Sequence, residues 1–277
     1  MGLTPSRPGR VLIIAGSDSG GGAGIQADIK AVTALGGFAT TAVTALTVQN
    51  TLGVRAVHMA PLDIIEGQIR AVLDDIGADS LKTGMLGDAR TVSCVVRAIG
   101  DYPAPLVVDP VMVAKGGHSL LETEAVEAVR RELLPLAALL TPNAPEAEVL
   151  SGLSIASSDD LIRVGEALLR TGVRAVLMKG GHLPGDRVTD YLITPNARVR
   201  FDGPRIETRH THGTGCTLAS AIATGLAHSQ PLDQAVGEAR AYLTEAIRRA
   251  PGFGAGHGPV DHGWPLRDQR HDRRDPA

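Results

Sequence analysis

The chain has 277 residues, and its 43% hydrophobic content is enough to fill the core of one large α/β domain. A formal net charge of −3 supplies no field that would gather nucleic acid or an anionic membrane, and two cysteines exclude a disulfide framework. "MGLTPSRPGR" carries no apolar leader and no later run reaches membrane-spanning length, so the expectation is a protein of the reducing cytoplasm.

In chain order, the apolar run "VLIIAG" predicts a strand and leads into five glycines, Gly16, Gly20, Gly21, Gly22 and Gly24. Helical spacing follows in "IQADIKAVTALG", then a strand in "TTAVTALTVQ", a helix in "DIIEGQIRAVLDDIG", a strand in "SLKTGML" and a helix in "ARTVSCVVRAIG". The strand "PLVVDPVMV", the helix "EAVEAVRRELLPLA", the strand "ALLTPN", the helix "DDLIRVGEALLRTG" and the strand "RAVLMKGG" complete the alternation. A hairpin, "VTDYLITPNARVRFDG", and a long helix from "CTLASAIATGLAHS" come last. Strand alternating with helix predicts a single doubly wound, mostly parallel sheet flanked by helices, spanning residues 11–264. Residues 1–10 and the charged tail 265–277 are expected to lack structure.

In such a sheet, ligands gather beyond the carboxyl ends of the strands. The first glycine loop fits a dinucleotide pattern at Gly22, Gly24 and Ala27, but no acidic residue between Asp28 and Asp63 could take ribose hydroxyls, and no Lys-Ser or Lys-Thr completes a Walker loop. It is therefore either a tight structural turn or a place where a small molecule meets backbone. The second cluster, Gly213, Thr214 and Gly215, precedes a helical pattern and reads as an anion hole for a transferring phosphoryl group. Cys216 at that terminus has its thiolate favoured by the helix dipole and could take a proton from a hydroxyl or hold it in place; the alternative is a small packing residue. Cys94, among valines, belongs to the core.

Asp109 ends a buried-type strand and could hold magnesium. Asn143 and Glu146 have capping-box spacing, which also turns a carboxylate toward the ligand edge. Lys179 ends "RAVLMK" where it can reach a nucleotide phosphate. His210, His212 and Cys216 match no zinc spacing.

A phosphate cradle, magnesium ligands, a lysine and an anion hole beside a proton acceptor are what phosphoryl transfer needs. With "AGSDSGGGAGIQADIKA", "KTGMLGD", "VVDPVMVAKGG", "LLTPNAPEAEVL", "LMKGGH" and "HGTGCTLASAIA" in this order, the chain resembles the ribokinase superfamily, and within it the hydroxymethylpyrimidine/phosphomethylpyrimidine kinases of thiamine biosynthesis. The resemblance runs from Val11 to Trp264. It implies ATP as phosphoryl donor, Mg2+ organised by Asp109 and Glu146, and nucleotide contacts from Lys179, Asn143 and Lys115, the last in a mobile loop with Gly116 and Gly117. It implies Gly213, Thr214 and Gly215 as the anion hole and Cys216 as the base, where most of the superfamily carries aspartate. The substrate pocket would comprise Asp28, Thr47, Gln49, Met85 and Val111, with Gln49 bridging the ring nitrogen and amino group of an aminopyrimidine. A homodimer without nucleic-acid or membrane partners is also implied. The nearest alternative is a pyridoxal kinase, whose substrate offers Gln49 no such pair; a non-catalytic pyrimidine-binding module is a third reading.

Overall fold

The structure, a computed structural model, describes residues 7–112 and 123–272. The first strand, β1 (Arg10–Asp18), lies in the interior of the sheet, and its residues 11–15 are all buried because both faces are covered. Val11, Ile13 and Ala15 point into one core with α1 (Gly24–Ala34), while Leu12 and Ile14 point into the other. Next come β2 (Phe38–Asn50), β3 (Gly53–Met59), α2 (Leu62–Ala71), β4 (Ser80–Thr83), α3 (Ala89–Ile99), β5 (Leu106–Val108) and α4 (Thr123–Ala128). They are followed by β6 (Leu139–Leu140), α5 (Ala144–Ser151), α6 (Ser158–Leu169), β7 (Val176–Met178), β8 (Arg187–Ile193), β9 (Arg198–Pro204), α7 (Thr214–Ala227), α8 (Leu232–Arg248) and α9 (Trp264–Asp272).

Among the described residues the strands form one sheet in the order β3-β2-β1-β4-β5-β6-β7-β8-β9. The run from β2 to β7 is parallel, and β3, β8 and β9 are antiparallel at the edges. The doubly wound expectation therefore holds: α2, α3, α5 and α6 cover one face and α1, α7 and α8 the other. The predicted hairpin is β8–β9. Strand β3 goes beyond what the sequence predicted: it is a mostly exposed edge strand with little alternation, entered through a turn in which Asn50 Oδ1 accepts from Leu52 N at 2.9 Å. Helices α2 and α4 each continue into a π-helical turn, Val72–Ile76 and Val129–Leu133.

Among the described residues, the fold reaches beyond residues 11–264 on both sides. Gly9 O accepts from Phe38 N at 2.9 Å, and Arg10 pairs with Asp79 at 2.6 Å, so the fold begins before residue 11. Residues 265–272 belong to α9. Trp264 at its start stacks on Tyr242 with ring centroids 6.1 Å apart, and Asp268 pairs with Arg249 at 2.7 Å, contacts that composition does not reveal.

Just before α9 lies His262, 4% exposed, with Thr217 Oγ1 2.9 Å from its Nε2 and Tyr242 Oη donating to its carbonyl at 2.8 Å. Burial, with the positive charges of Lys30 and His212 adding to it, lowers this imidazole from 6.5 to about 4. The unfolded chain therefore binds a proton near 6.5 that the folded chain refuses until about 4, and stability falls as pH drops through that window. We expect a loss of about 3 kcal/mol from this group. Urea midpoints at pH 7.5 and 4.5 should converge more in His262→Gln than in the parent; equal pH dependence in both would refute the assignment.

Candidate active site

The strand ends β5, β6 and β7 lie side by side, with Thr141 N donating to Val108 O at 3.0 Å and Lys179 N to Pro142 O at 3.0 Å. This ladder brings Asp109, Asn143 and Lys179 to one edge. Asn143 caps α5: its Oδ1 accepts from Glu146 N at 3.0 Å, and Glu146 Oε2 accepts from Asn143 N at 2.8 Å. The capping box and the inward-turned carboxylate coexist, as the spacing predicted. Lys179 Nζ lies 3.4 Å from Asp109 Oδ1 and 3.8 Å from Glu146 Oε2. Burial works against the lysine's charge, but Asp109 and Glu146 outweigh it and hold the ammonium above its ordinary value. Burial pushes Glu146 up to about 7, with Asp109 adding and Lys179 opposing. Asp109 Oδ2 is buried without a hydrogen-bond partner. Two carboxylates thus face one ammonium, with an oxygen left over.

Helix α7 aims its N-terminus at the same cluster. A Cβ on Gly215 would lie 3.4 Å from Asp109 Oδ2 and 3.5 Å from Lys179 Nζ. The first N–H groups of a helix have no partner within it, so Thr214 and Gly215 can present theirs to an anion. Gly213, at φ +79°, has to be glycine: a Cβ there would fall 1.8 Å from Gly22 O. The two glycine clusters therefore touch, although about 190 residues of chain separate them.

Cys216 is buried, and burial pushes its thiol up to about 12, with Asp28 and Asp109 adding and Lys82 and the Gly24 N–H opposing. The expected thiolate is corrected to a thiol: desolvation outweighs the helix terminus here.

The first glycine loop is wrapped around Asp18. Its carboxylate accepts from the N–H groups of Gly20 at 2.7 Å, Gly22 at 3.0 Å and Ala23 at 2.8 Å. His212 Nε2 is 2.9 Å from Asp18 Oδ2. Burial alone would raise this carboxyl, but His212 and the backbone N–H groups of Ala23 and Gly20 outweigh it and hold it below its ordinary value. The glycines thus build a turn around an internal carboxylate, and Gly22 also makes room for the His212 ring, which a Cβ would meet at 2.4 Å. The amide of Gln49 lies 3.1 Å from His212 Nε2 and 3.3 Å from Thr47 Oγ1, and Thr47 Oγ1 donates to Ser17 O at 2.9 Å. Met85 is buried against Gly16, and Val111 follows Asp109 beside Thr83 and Gly84. Thr47, Gln49 and Met85 therefore gather at the end of β1, next to the helix that carries Cys216.

Asp28 does not line this pocket. It is fully buried, with Lys82 Nζ 2.9 Å from both its oxygens and Ser220 Oγ donating to Oδ1 at 2.7 Å. Its carboxylate is consumed by internal partners, so the assignment as a direct substrate ligand is corrected to a core ion pair. Lys115, Gly116 and Gly117 lie outside the described residues. Among the described residues no group of three or more His, Cys, Asp or Glu side chains is arranged to hold a metal ion by itself. Asp18, Lys82 and His212 had no assigned role in the sequence; the signals were an Asp opening a glycine run and a lysine within an apolar strand.

Against known proteins, the model of the phosphomethylpyrimidine kinase family matches residues 18–261. The hydroxymethylpyrimidine/phosphomethylpyrimidine kinase of Streptomyces coelicolor is 48% identical over 262 residues, covering 95% of this chain and 97% of that one. The thiamine biosynthesis bifunctional protein ThiED of Geobacter sulfurreducens is 49% identical over 259 residues, 93% of this chain, which spans about half (53%) of that longer protein. Among solved structures, phosphomethylpyrimidine kinase from Clostridium difficile superposes with a TM-score of 0.77 at 44% identity, over 86% of this chain and 99% of that one. The ADP complex of Bacillus subtilis pyridoxal kinase superposes at 0.86 with 34% identity, over 93% and 98%.

Proposed function

The chain belongs to the phosphomethylpyrimidine kinase family, and on that premise we propose that it moves the γ-phosphoryl group of ATP to the hydroxymethyl oxygen of 4-amino-5-hydroxymethyl-2-methylpyrimidine. A second transfer to the monophosphate then gives the pyrophosphate. The fold is ribokinase-like and the chain is a kinase of thiamine biosynthesis. The observation that carries the site reading is the meeting of the α7 N-terminus with Asp109 and Lys179, within 3.5 Å of where a Gly215 Cβ would stand.

In this reading the N–H groups of Thr214 and Gly215 hold the charge that develops on the transferring group, and Lys179, with Asn143 and Lys115, binds the nucleotide phosphates. Asp109 and Glu146 would hold Mg2+; the unpartnered Asp109 Oδ2 and the excess of carboxylate over ammonium fit a second cation. When bound, that ion neutralises phosphate charge. Cys216, a thiol before substrate enters, holds the hydroxyl in line. The new P–O bond forms at the hydroxymethyl oxygen, the bond to the β-phosphate oxygen breaks, and ADP leaves. In a loose transition state the hydroxyl proton departs late, to a phosphoryl oxygen or water. Gln49, Thr47, Met85 and Val111 would seat the ring.

The exposed apolar side chains Leu46, Val48, Leu52 and Val57 of the β2–β3 ribbon support the homodimer reading. No described helix is long and apolar enough to cross a membrane, and both cysteines are free; we place the reaction in the cytoplasm.

Pyridoxal kinase is the second reading, favoured by the 0.86 superposition, but identity is lower there, 34% against 44–49% for the pyrimidine kinases. Mass spectrometry after incubation with Mg-ATP and, separately, hydroxymethylpyrimidine or pyridoxal decides it. Mono- and diphosphorylated pyrimidine is the expected result; phosphorylation of pyridoxal alone would overturn the reading.

A further inference from the structure

We infer that His212 fixes the side-chain amide of Gln49 in one orientation, and with it the order of donor and acceptor that the pocket shows to a planar nitrogen heterocycle. The inference rests on Gln49 as the ring-recognising residue. Two orientations of the amide fit the same heavy-atom positions, and the hydrogens choose between them. Asp18 is ionised, with three backbone N–H groups already on its carboxylate, so the His212 Nε2 atom 2.9 Å from Oδ2 carries a hydrogen and donates. An amide nitrogen turned toward that Nε2 at 3.1 Å would set N–H against N–H, while an unprotonated Nε2 would set a lone pair against the carboxylate. Only the amide oxygen accommodates a protonated Nε2, sharing its hydrogen with Asp18.

The other end of the amide gives the same answer independently. Thr47 Oγ1 has one hydrogen, which it donates to Ser17 O at 2.9 Å, so towards Gln49, 3.3 Å away, it offers a lone pair. The amide nitrogen satisfies it. With Oε1 on His212 and Nε2 on Thr47, the side chain keeps one lone pair and one N–H for a ligand. That remainder complements a ring nitrogen adjoining an exocyclic amino group, the amino group on the His212 side. His212 is thus a positioning residue that acts on specificity through Gln49, and Gly22 and Gly213 hold the loops that clamp its ring.

A double-mutant cycle tests this with aminopyrimidine as the varied substrate. His212→Phe, which keeps a ring but no N–H, is expected to raise the pyrimidine KM about 10-fold, the scale of a hydrogen-bonded polar group left mismatched, and to leave the ATP KM within about 2-fold. His212→Gln, which returns an N–H near the same point, should recover most of the loss. In a Gln49→Ala background the same His212→Phe change should add less than about 2-fold, because the group it acts through is gone. An undiminished effect there, or no effect in the parent, overturns the inference, since His212 would then act through the Asp18 loop or not at all. If Gln49→Ala leaves the pyrimidine KM unchanged, ring recognition by Gln49 is the reading that fails. The orientation is then judged by NMR of the parent chain: contacts from the Gln49 NH2 protons to the Thr47 side chain uphold it, and contacts to the His212 ring refute it. The NMR arm needs no substitution, so a misfolded variant does not remove the test.

Discussion

Lys82→Ala should lower the unfolding free energy by about 3–5 kcal/mol, the cost of leaving a fully buried charge without its partner. Lys82 sits mid-sheet on β4 with no exposed surface, and its Nζ lies 2.9 Å from each oxygen of Asp28, itself fully buried and bonded to Ser220. Burial works against the lysine's charge; Asp28, with Cys216 and Asp109 adding, outweighs it and holds the group above its ordinary value. Removing the amine strands a carboxylate between α1 and α7 and withdraws the positive charge that partly offsets the rise of the Cys216 thiol. Urea denaturation measures the loss, and a shift below about 1 kcal/mol would show that the pair is not buried as described. Replacing both partners with apolar residues of similar volume, Lys82→Met with Asp28→Leu, should recover most of the stability. In that pair the reading of Asp28 as a substrate ligand also meets its test: with the fold restored, the pyrimidine KM should stay within about 3-fold of the parent, since a lost neutral contact would cost more.

Asp28 shows where sequence reading stops. Its place on α1 was legible: Ile25, Asp28, Ala31 and Val32 share the buried stripe of the helix. Its partner was not, because spacing along one helix says which face is covered and nothing of what stands opposite, and Lys82 is 54 residues away. A polar residue near a glycine loop was therefore assigned to a ligand. The doubly wound sheet was legible because strands such as β1 are unbroken apolar runs, buried on both faces, that alternate with helical segments along the chain, whereas β3, exposed along most of its length, had no periodicity to read. Asp109, Asn143, Glu146, Lys179 and the Gly213–Cys216 turn were legible because the topology requires strand ends to share one edge. The contact of His212 with Asp18 spans 194 positions and links two loops, which no local pattern encodes. The ionisation of Cys216 was misjudged for a related reason: the helix terminus is visible in sequence, and the depth of burial is not.

That correction shapes what Cys216 substitutions should do. Cys216→Ala is expected to lower kcat by about 10²-fold, the scale of losing the alignment of the reacting hydroxyl, while both KM values change by less than about 3-fold. The sulfur sits at the first turn of α7, beside the N–H groups that would receive the transferring charge, so its loss acts on the transition state more than on binding. A thiol pushed up to about 12 does not ionise in the working range, and kcat should show no rise between pH 7 and 9 that Cys216→Ala abolishes. Cys216→Ser separates the two ways the residue could act. If the side chain holds the hydroxyl in line, serine supplies the same hydrogen bond and should retain at least a tenth of the parent kcat. If it must take the proton as an anion, serine, which ionises far less readily than a thiol, will be as slow as alanine, and the late-proton description of the transfer fails. Unchanged turnover in the alanine variant would reduce Cys216 to a packing residue and leave the helix terminus, Lys179 and the two carboxylates to carry the chemistry alone.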